Sequence, residues 1–339
     1  MTHPIPPGTR DILPEEMGEL RAVETTLHEL FAARGYGEVS TPTIEFHDVL
    51  ARGDARMMAS AYRFFDPEGD QLALRSDMTV PIARLVADRF ADAEPPFRLQ
   101  YIGSAYRAVR PERGQMREFR QAGVELIGKE APGGTAELVE LLVAALDAVG
   151  LSRAVVGLGD ADLFRQLLDE LQVAGPAAER ILDRLAAHDL VAIEAEAGEL
   201  AGIGEAERAL IVELSSLRGG ADVLERARAI GGEAVERASG RLAGTYRELV
   251  ERGVAGRVQL DLGLLRDLGY YTGAILEVYD PALGHIIGGG GRYDGLMGRF
   301  GRQLPAAGFA LYVERVHIAQ AEEERLAAER DERPGEGRA

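Results

Sequence analysis

The sequence predicts an α+β fold: largely antiparallel strands flanked by helices, interrupted by a helical block and then resumed. Three observations carry that expectation. Strand-like runs between residues 60 and 127 come in pairs joined by short polar connections, which favours hairpins over crossovers. From about 162 to 255 the texture changes to Ala, Leu, Glu and Arg with glycine punctuation (Gly198, Gly202, Gly219, Gly220, Gly231, Gly232) and reads as a helical insertion. Strand character then returns over 258–288. At 339 residues, 46% hydrophobic and 28% charged, the chain is long enough for two or three folding units and apolar enough to fill them. The expected division is a first core segment over 1–161, the insertion over 162–255, a second core segment over 256–320 and a charged tail over 321–339.

In chain order, Leu20, Val23, Leu27, Leu30 and Phe31 recur at three-to-four spacing and predict an amphipathic helix, stopped by Gly35-Tyr36-Gly37. The run Val39 to Phe46, broken by Pro42, predicts a strand at an edge or an interface. Residues 60–75 read as a hairpin around Asp66-Pro67-Glu68-Gly69-Asp70, and a helix follows Thr79. Two longer strands, Phe97 to Arg107 and Glu118 to Ile127, are joined by a charged connection containing Arg110-Pro111-Glu112-Arg113-Gly114. An apolar helix over 135–149 and a buried strand over 154–158 complete the first segment. After the insertion, strands are expected at Val258 to Leu262, Ala274 to Tyr279 and His285 to Gly288, with a last helix from near Ala306.

Composition removes several chemistries. The chain has 38 basic against 56 acidic side chains, a net charge of −18 with His neutral, and a field of that sign repels phosphate backbones. The absence of cysteine excludes disulfides, thiol catalysis and Cys-ligated metals. Lys129 is the single lysine, so a Walker lysine is excluded and arginine must do the cationic work. His3, His28, His47, His188, His285 and His317 show no metal-ligand spacing and read as structural or surface groups; no metal and no cofactor is expected. No apolar run approaches the ~20 residues of a membrane helix, and the start of the chain lacks a basic-then-apolar leader, which predicts a cytoplasmic protein without membrane contact.

Four segments combine strands with polar chemistry. In Leu74-Arg75-Ser76-Asp77-Met78-Thr79, Asp77 either caps the following helix or faces a ligand. In Phe119 to Glu125, alternation puts Phe119, Gln121, Gly123 and Glu125 on one face, where Gln121 and Glu125 either meet a ligand or stand exposed. Arg266 lies near Tyr270 and Tyr271, read as β-formers in a strand or as a carboxylate and ring contact. The run Gly288-Gly289-Gly290-Gly291-Arg292-Tyr293-Asp294 is neither a Walker nor a Rossmann loop; it reads as a strand stripped of side chains so that another group can approach.

In their joint order these segments resemble the histidyl-tRNA synthetase catalytic core, a class II aminoacyl-tRNA synthetase-like antiparallel sheet flanked by helices with a helical insertion, over roughly residues 5–320. Gly8-Thr9-Arg10-Asp11-Ile12-Leu13-Pro14 resembles that family's opening, Tyr106-Arg107 through Arg117-Glu118-Phe119 its motif 2 hairpin, and Leu265-Arg266 with Tyr270-Tyr271-Thr272-Gly273 its second histidine-specific segment. Gly290-Gly291-Arg292-Tyr293-Asp294-Gly295 and Gly308-Phe309-Ala310 with Glu314-Arg315 look like the run into motif 3. Departures redirect the functional expectation. The family's Arg-x-Glu appears as Arg107-Ala108-Val109, so a hydrogen-bond acceptor for ATP has become aliphatic. The stretch after Arg315 is shorter than the ~50 residues of a small domain, so no anticodon reader, and no tRNA, is expected. Leu74 to Thr79, with Asp77 where synthetases carry glutamate, and Ile82-Ala83-Arg84 are more similar to ATP phosphoribosyltransferase regulatory subunits, paralogues of the synthetase.

That resemblance implies a non-catalytic regulatory subunit that activates a short-form catalytic ATP phosphoribosyltransferase in the first step of histidine biosynthesis and mediates feedback inhibition by L-histidine. It implies a homodimer, paired through residues 14–46, within a hetero-oligomer. Carried over position by position, Asp77, Thr79 and Gln121 would take the ammonium of histidine and Arg107 with Gln121 its carboxylate. Glu125 and Tyr271, with Arg266 and Tyr270 nearby, would read the ring. Arg107 and Arg315 mark a residual nucleotide site. The alternative is a truncated synthetase-like ligase that adenylates histidine or another small acid.

Overall fold

Pro14 at the first helical position, with Glu15 and Glu16 beside it, starts α1 (Pro14–Ala33), where the missing amide costs nothing and negative charge suits the helix dipole. The computed structural model describes residues 4–109, 116–266 and 268–331. His3, the expected connection Arg110 to Gly114, Asp267 and the end of the tail from 332 lie outside the described residues. After α1 come β1 (Gly37–Glu38), β2 (Ile44–Phe46), α2 (His47–Gly53), β3 (Arg63–Phe65), β4 (Gln71–Leu74) and α3 (Thr79–Arg89). The long hairpin β5 (Phe97–Tyr106) and β6 (Glu118–Ile127) leads to α4 (Gly133–Ala148) and β7 (Val155–Asp160). The insertion holds α5 (Leu163–Glu170), α6 (Pro176–Ala186), α7 (Leu190–Gly198), α8 (Glu205–Ser216), β8 (Arg218–Gly219), α9 (Asp222–Ile230) and α10 (Glu233–Glu251). The chain closes with β9 (Val258–Asp261), β10 (Ala274–Asp280), β11 (Leu283–Arg292), α11 (Leu296–Arg299), β12 (Ala306–Tyr312) and α12 (Val313–Asp331).

Nine strands form one sheet in the order β1-β5-β6-β12-β11-β10-β7-β9-β8, antiparallel except at β1·β5 and β7·β9, and β2, β4 and β3 form a separate small sheet. One face of the large sheet packs on α1, α4, α10 and α12, which bury Leu27, Phe31, Leu142, Leu146 and Leu242 against Ala122, Val124, Phe309, Leu311 and Leu158. The insertion shares this core: Phe164, Leu167, Ile181, Ile193 and Leu214 belong to the same continuous apolar cluster. Its strand β8 also extends the large sheet by pairing with β9, a connection that the helical reading of 162–255 did not foresee. Among the described residues no helix is long and apolar enough to cross a membrane.

Three sequence expectations are corrected. The segment from Ala306 is a strand, β12, and the helix starts only at Val313. Alanine favours helix in isolation, but β12 sits in the interior of the sheet between β6 and β11, where Gly308 and the small Ala306, Ala307 and Ala310 allow close approach on both sides. The run Val39 to Phe46 is not one strand; β1 and β2 flank an irregular stretch around Pro42 and join different sheets. Tyr270 and Tyr271 lie in the turn before β10, not in a strand.

Candidate functional site

The opposite face of the large sheet, where Leu99, Tyr101, Ile127 and Ile275 share a second apolar core with Met78 and Ile82, carries the site, and strand register builds it. Tyr101 lies opposite Gly123, Gly123 opposite Ala310, Ala310 opposite Gly289, Gly289 opposite Glu277 and Glu277 opposite Gly157. Ladder partners point to the same side, so this row is a floor of small residues with Tyr101 at one end and Glu277 rising near the other. Each glycine is bare because something crosses it. A β-carbon on Gly289 would lie 2.0 Å from Arg266 Nη1, one on Gly308 1.7 Å from Glu125 Oε2, and one on Gly123 2.6 Å from the Tyr101 hydroxyl. The stripped-strand reading of the glycine run therefore holds, and Arg266 is one of the groups that approach.

Over this floor lies a narrow cleft, closely filled by its own side chains, with about 30 Å³ of free cavity volume. Asp77, Thr79, Arg107, Gln121, Arg266, Tyr270 and Tyr271 line it, joined by Tyr101, Tyr293 and Tyr312. Asp77 sits at the start of α3 and also lines the cleft. Its Oδ1 accepts from the Val80 amide at 3.1 Å at the start of α3, and its Oδ2 accepts from the Tyr270 hydroxyl at 3.2 Å. Burial raises the Asp77 carboxyl above the usual range, against the opposing pull of the Val80 amide, the Arg107 charge and the Tyr270 hydroxyl. Gln121, buried on β6, has a side-chain oxygen without a hydrogen-bond partner among the described residues.

Glu125 lies behind the lining rather than in it. Thr79 Oγ1 donates to its Oε1 at 2.8 Å, and the Tyr293 hydroxyl donates to its Oε2. Burial pushes its pKa up to about 8, so the carboxyl is predominantly protonated at neutral pH. Arg266 reaches Glu277 with Nη1 3.5 Å from Oε1. Burial alone would lower this guanidinium's pKa, yet Tyr271 and Glu277 beside it raise it overall. The arrangement presents acceptors from Asp77 and Gln121 and cations from Arg107 and Arg266 in one cleft. A small zwitterion is the ligand type that can pair with both sets without leaving a buried charge alone.

Around Arg107 the cleft is closed by the chain itself. The Arg107 guanidinium lies 5.1 Å from the Phe119 ring centroid, Phe119 meets the Tyr312 ring edge-on at 5.5 Å, and Arg315 stands 4.7 Å over Tyr312. Burial pushes the Tyr312 phenol up, but Arg107, Arg266 and Arg315, with a hydrogen bond from Arg107, bring it below the ordinary tyrosine value. The two arginines expected at a nucleotide site thus flank a tyrosine ring. Val109 lines the bay outside, with Arg56, Arg107 and Arg266.

Sequence reasoning missed Tyr101, Tyr293 and Tyr312 of the lining and Glu277 beside Arg266. Tyr293 stands in the quoted glycine motif, and Tyr312 faces Gln121 across the β6–β12 ladder, but that pairing required β12 to be recognised as a strand. His188, assigned to structure or surface, has Nε2 3.1 Å from Glu277 Oε2.

This fold, with a polar cleft over a glycine-bared antiparallel sheet, is that of the class II synthetases. The family model described as histidyl-tRNA synthetase matches residues 8–316. The ATP phosphoribosyltransferase regulatory subunit of Moorella thermoacetica is 42% identical over 320 residues, covering 94% of this chain and 82% of that protein. The regulatory subunit of Rubrobacter xylanophilus is 41% identical, covering 91% and 75%. A solved structure described as an ATP phosphoribosyltransferase regulatory subunit/histidyl-tRNA synthetase from Bacillus halodurans superposes with TM-score 0.86 at 32% identity, covering 94% of this chain and 84% of that one. Apo histidyl-tRNA synthetase from S. aureus, at 23% identity and TM-score 0.63, covering 95% and 71%, shares the fold. The chain belongs to the family of ATP phosphoribosyltransferase regulatory subunits, built on the class II fold of histidyl-tRNA synthetase.

Proposed function

We propose that this chain is the non-catalytic subunit that a short-form catalytic ATP phosphoribosyltransferase requires for activity in the first step of histidine biosynthesis, and that its cleft binds L-histidine as feedback effector. Asp77, Thr79 and Gln121 receive the ammonium, Arg107 and Gln121 the carboxylate, and Tyr271, with Glu125 behind it and Arg266 and Tyr270 alongside, the imidazole. The observation that carries this reading is the buried Gln121 oxygen, unpartnered among the described residues, on a side chain that lines a cleft offering both charge signs. Tyr312 between Arg315 and Phe119 supports a pocket for an amino acid without adenylation. The exposed Ile44 and Phe46 on β2 support pairing into a homodimer within the larger assembly.

The test adds purified chain to an inert short-form phosphoribosyltransferase and follows phosphoribosyl-ATP formation from ATP and phosphoribosyl pyrophosphate. Activity should appear only with both chains present and should fall when L-histidine is added. Histidine-dependent pyrophosphate exchange by this chain alone would overturn the reading in favour of a ligase.

A further inference from the structure

We propose that His188, from the insertion, is a positioning residue for the cleft: through Glu277 it governs Arg266, so that occupancy of the cleft and docking of the corner between α6 and α7 are coupled. The inference rests on the reading of the cleft as a histidine site.

The corner is shaped for this contact. His188 follows the end of α6 with φ 54, a left-handed conformation that non-glycine residues rarely hold, and its amide bonds to the Leu185 carbonyl at 3.0 Å. That turn aims the imidazole at the sheet, where Nε2 lies 3.1 Å from Glu277 Oε2. The other oxygen of the same carboxylate faces Arg266 Nη1 at 3.5 Å. Glu277 also accepts the Tyr279 hydroxyl, and its side chain is 5% exposed. Its ladder neighbours on both sides are Gly289 and Gly157, so no β-carbon beside it shields the carboxylate from either cation. The hydrogen bond from His188 and the charge of Arg266 overcome burial and hold Glu277 below the usual carboxylate range.

One buried carboxylate is therefore shared between a cation of the cleft and an imidazole of the insertion. A buried carboxylate keeps its charge only while it is neutralised. A ligand that draws Arg266 toward itself leaves Glu277 more dependent on His188, which tightens the corner. Conversely, removing the imidazole leaves Arg266 as the main counterion of Glu277 and less free to meet a ligand. Linkage requires the two effects to be equal in free energy. Asp261 and Arg218, which also face His188, oppose one another in charge and leave Glu277 as its principal partner.

The experiment uses the full chain and L-histidine as the probe. His188→Asn tolerates the left-handed backbone but is too short to reach Glu277, whereas His188→Gln keeps a donor within reach. Calorimetry should show roughly 10-fold weaker histidine binding for His188→Asn and recovery toward wild type for His188→Gln. Amide exchange over residues 185–193 should slow on adding histidine in wild type and stay unchanged in His188→Asn. Wild-type affinity in His188→Asn, or persistence of the ligand-induced protection in it, overturns the coupling alone. No binding to the wild-type chain removes the histidine reading itself, and the coupling with it.

Discussion

Thr79 Oγ1 donates to Glu125 Oε1 at 2.8 Å, tying the first residue of α3 to a carboxyl on the site face of β6, behind the cleft lining. The pKa of Glu125 is pushed from 4.5 to about 8, so between these values the folded chain keeps a proton that the unfolded chain has released. Its contribution is therefore fully present below about pH 4.5 and is lost as pH rises through about 8, at a slope near 1.4 kcal/mol per pH unit. Glu125→Gln is neutral throughout and should flatten that decline. Calorimetric melting of both proteins from pH 5 to 9 checks it: the wild-type midpoint should fall relative to the variant, and parallel curves would show that Glu125 does not titrate.

Gly289→Ala should destabilise the chain by about 1–3 kcal/mol and weaken histidine binding, because the new β-carbon would fall 2.0 Å from Arg266 Nη1 and 2.6 Å from the Leu276 carbonyl oxygen. Gly240→Ala provides the opposite sign. It lies within α10 with no atom near its β-carbon position, so alanine should stabilise by about 0.5–1 kcal/mol. Urea unfolding of the two variants decides whether close approach, rather than glycine's backbone freedom, explains the bare floor.

These glycines also mark how far the sequence could be read. Alternation along β6 placed Gln121 and Glu125 on the site face, and the structure keeps them there, because period two is set by the pleat itself. The glycine run announced a close approach without naming what approaches, since Arg266 arrives from a loop whose path no local pattern encodes. The strand at 306–312 was hidden for a related reason. Its small residues carry helix propensity, and only the neighbouring strands make them a ladder. Likewise, Glu277 reads as an ordinary strand residue until β10 is placed beside two glycines and an arginine.

Tyr312→Ala should create affinity for ATP. In wild type the ring occupies the space between the Arg315 guanidinium and Phe119, and Arg107 is engaged by its hydroxyl. Removing the ring opens the Phe119 edge and releases Arg107 from the phenol, a combination that suits a base carrying phosphates. Titration with a fluorescent adenine nucleotide should show at least roughly ten-fold tighter binding to the variant than to wild type. Equal affinities would mean that Tyr312 is packing and not an obstruction.

The tie between the insertion and the sheet can be tested at Arg241 and Asp160. Arg241 of α10 grips the carboxylate of the last residue of β7 with Nε and Nη2, both at 2.8 Å. The Asp160 side chain is 0% exposed, whereas that of Arg241 is 40% exposed. Truncating the arginine strands a buried charge, a change that costs about 3–5 kcal/mol, and partial solvent access at Arg241 places the expected loss for Arg241→Ala near the lower end. Arg241→Lys should lose less, because one ammonium can still neutralise the carboxylate without gripping both oxygens. Adding Asp160→Asn to Arg241→Ala should recover much of the stability, since the stranded charge is then gone. Urea unfolding of the three variants distinguishes this from lost packing: if the double variant is as unstable as Arg241→Ala, the arginine stem rather than its charge holds α10 to the sheet.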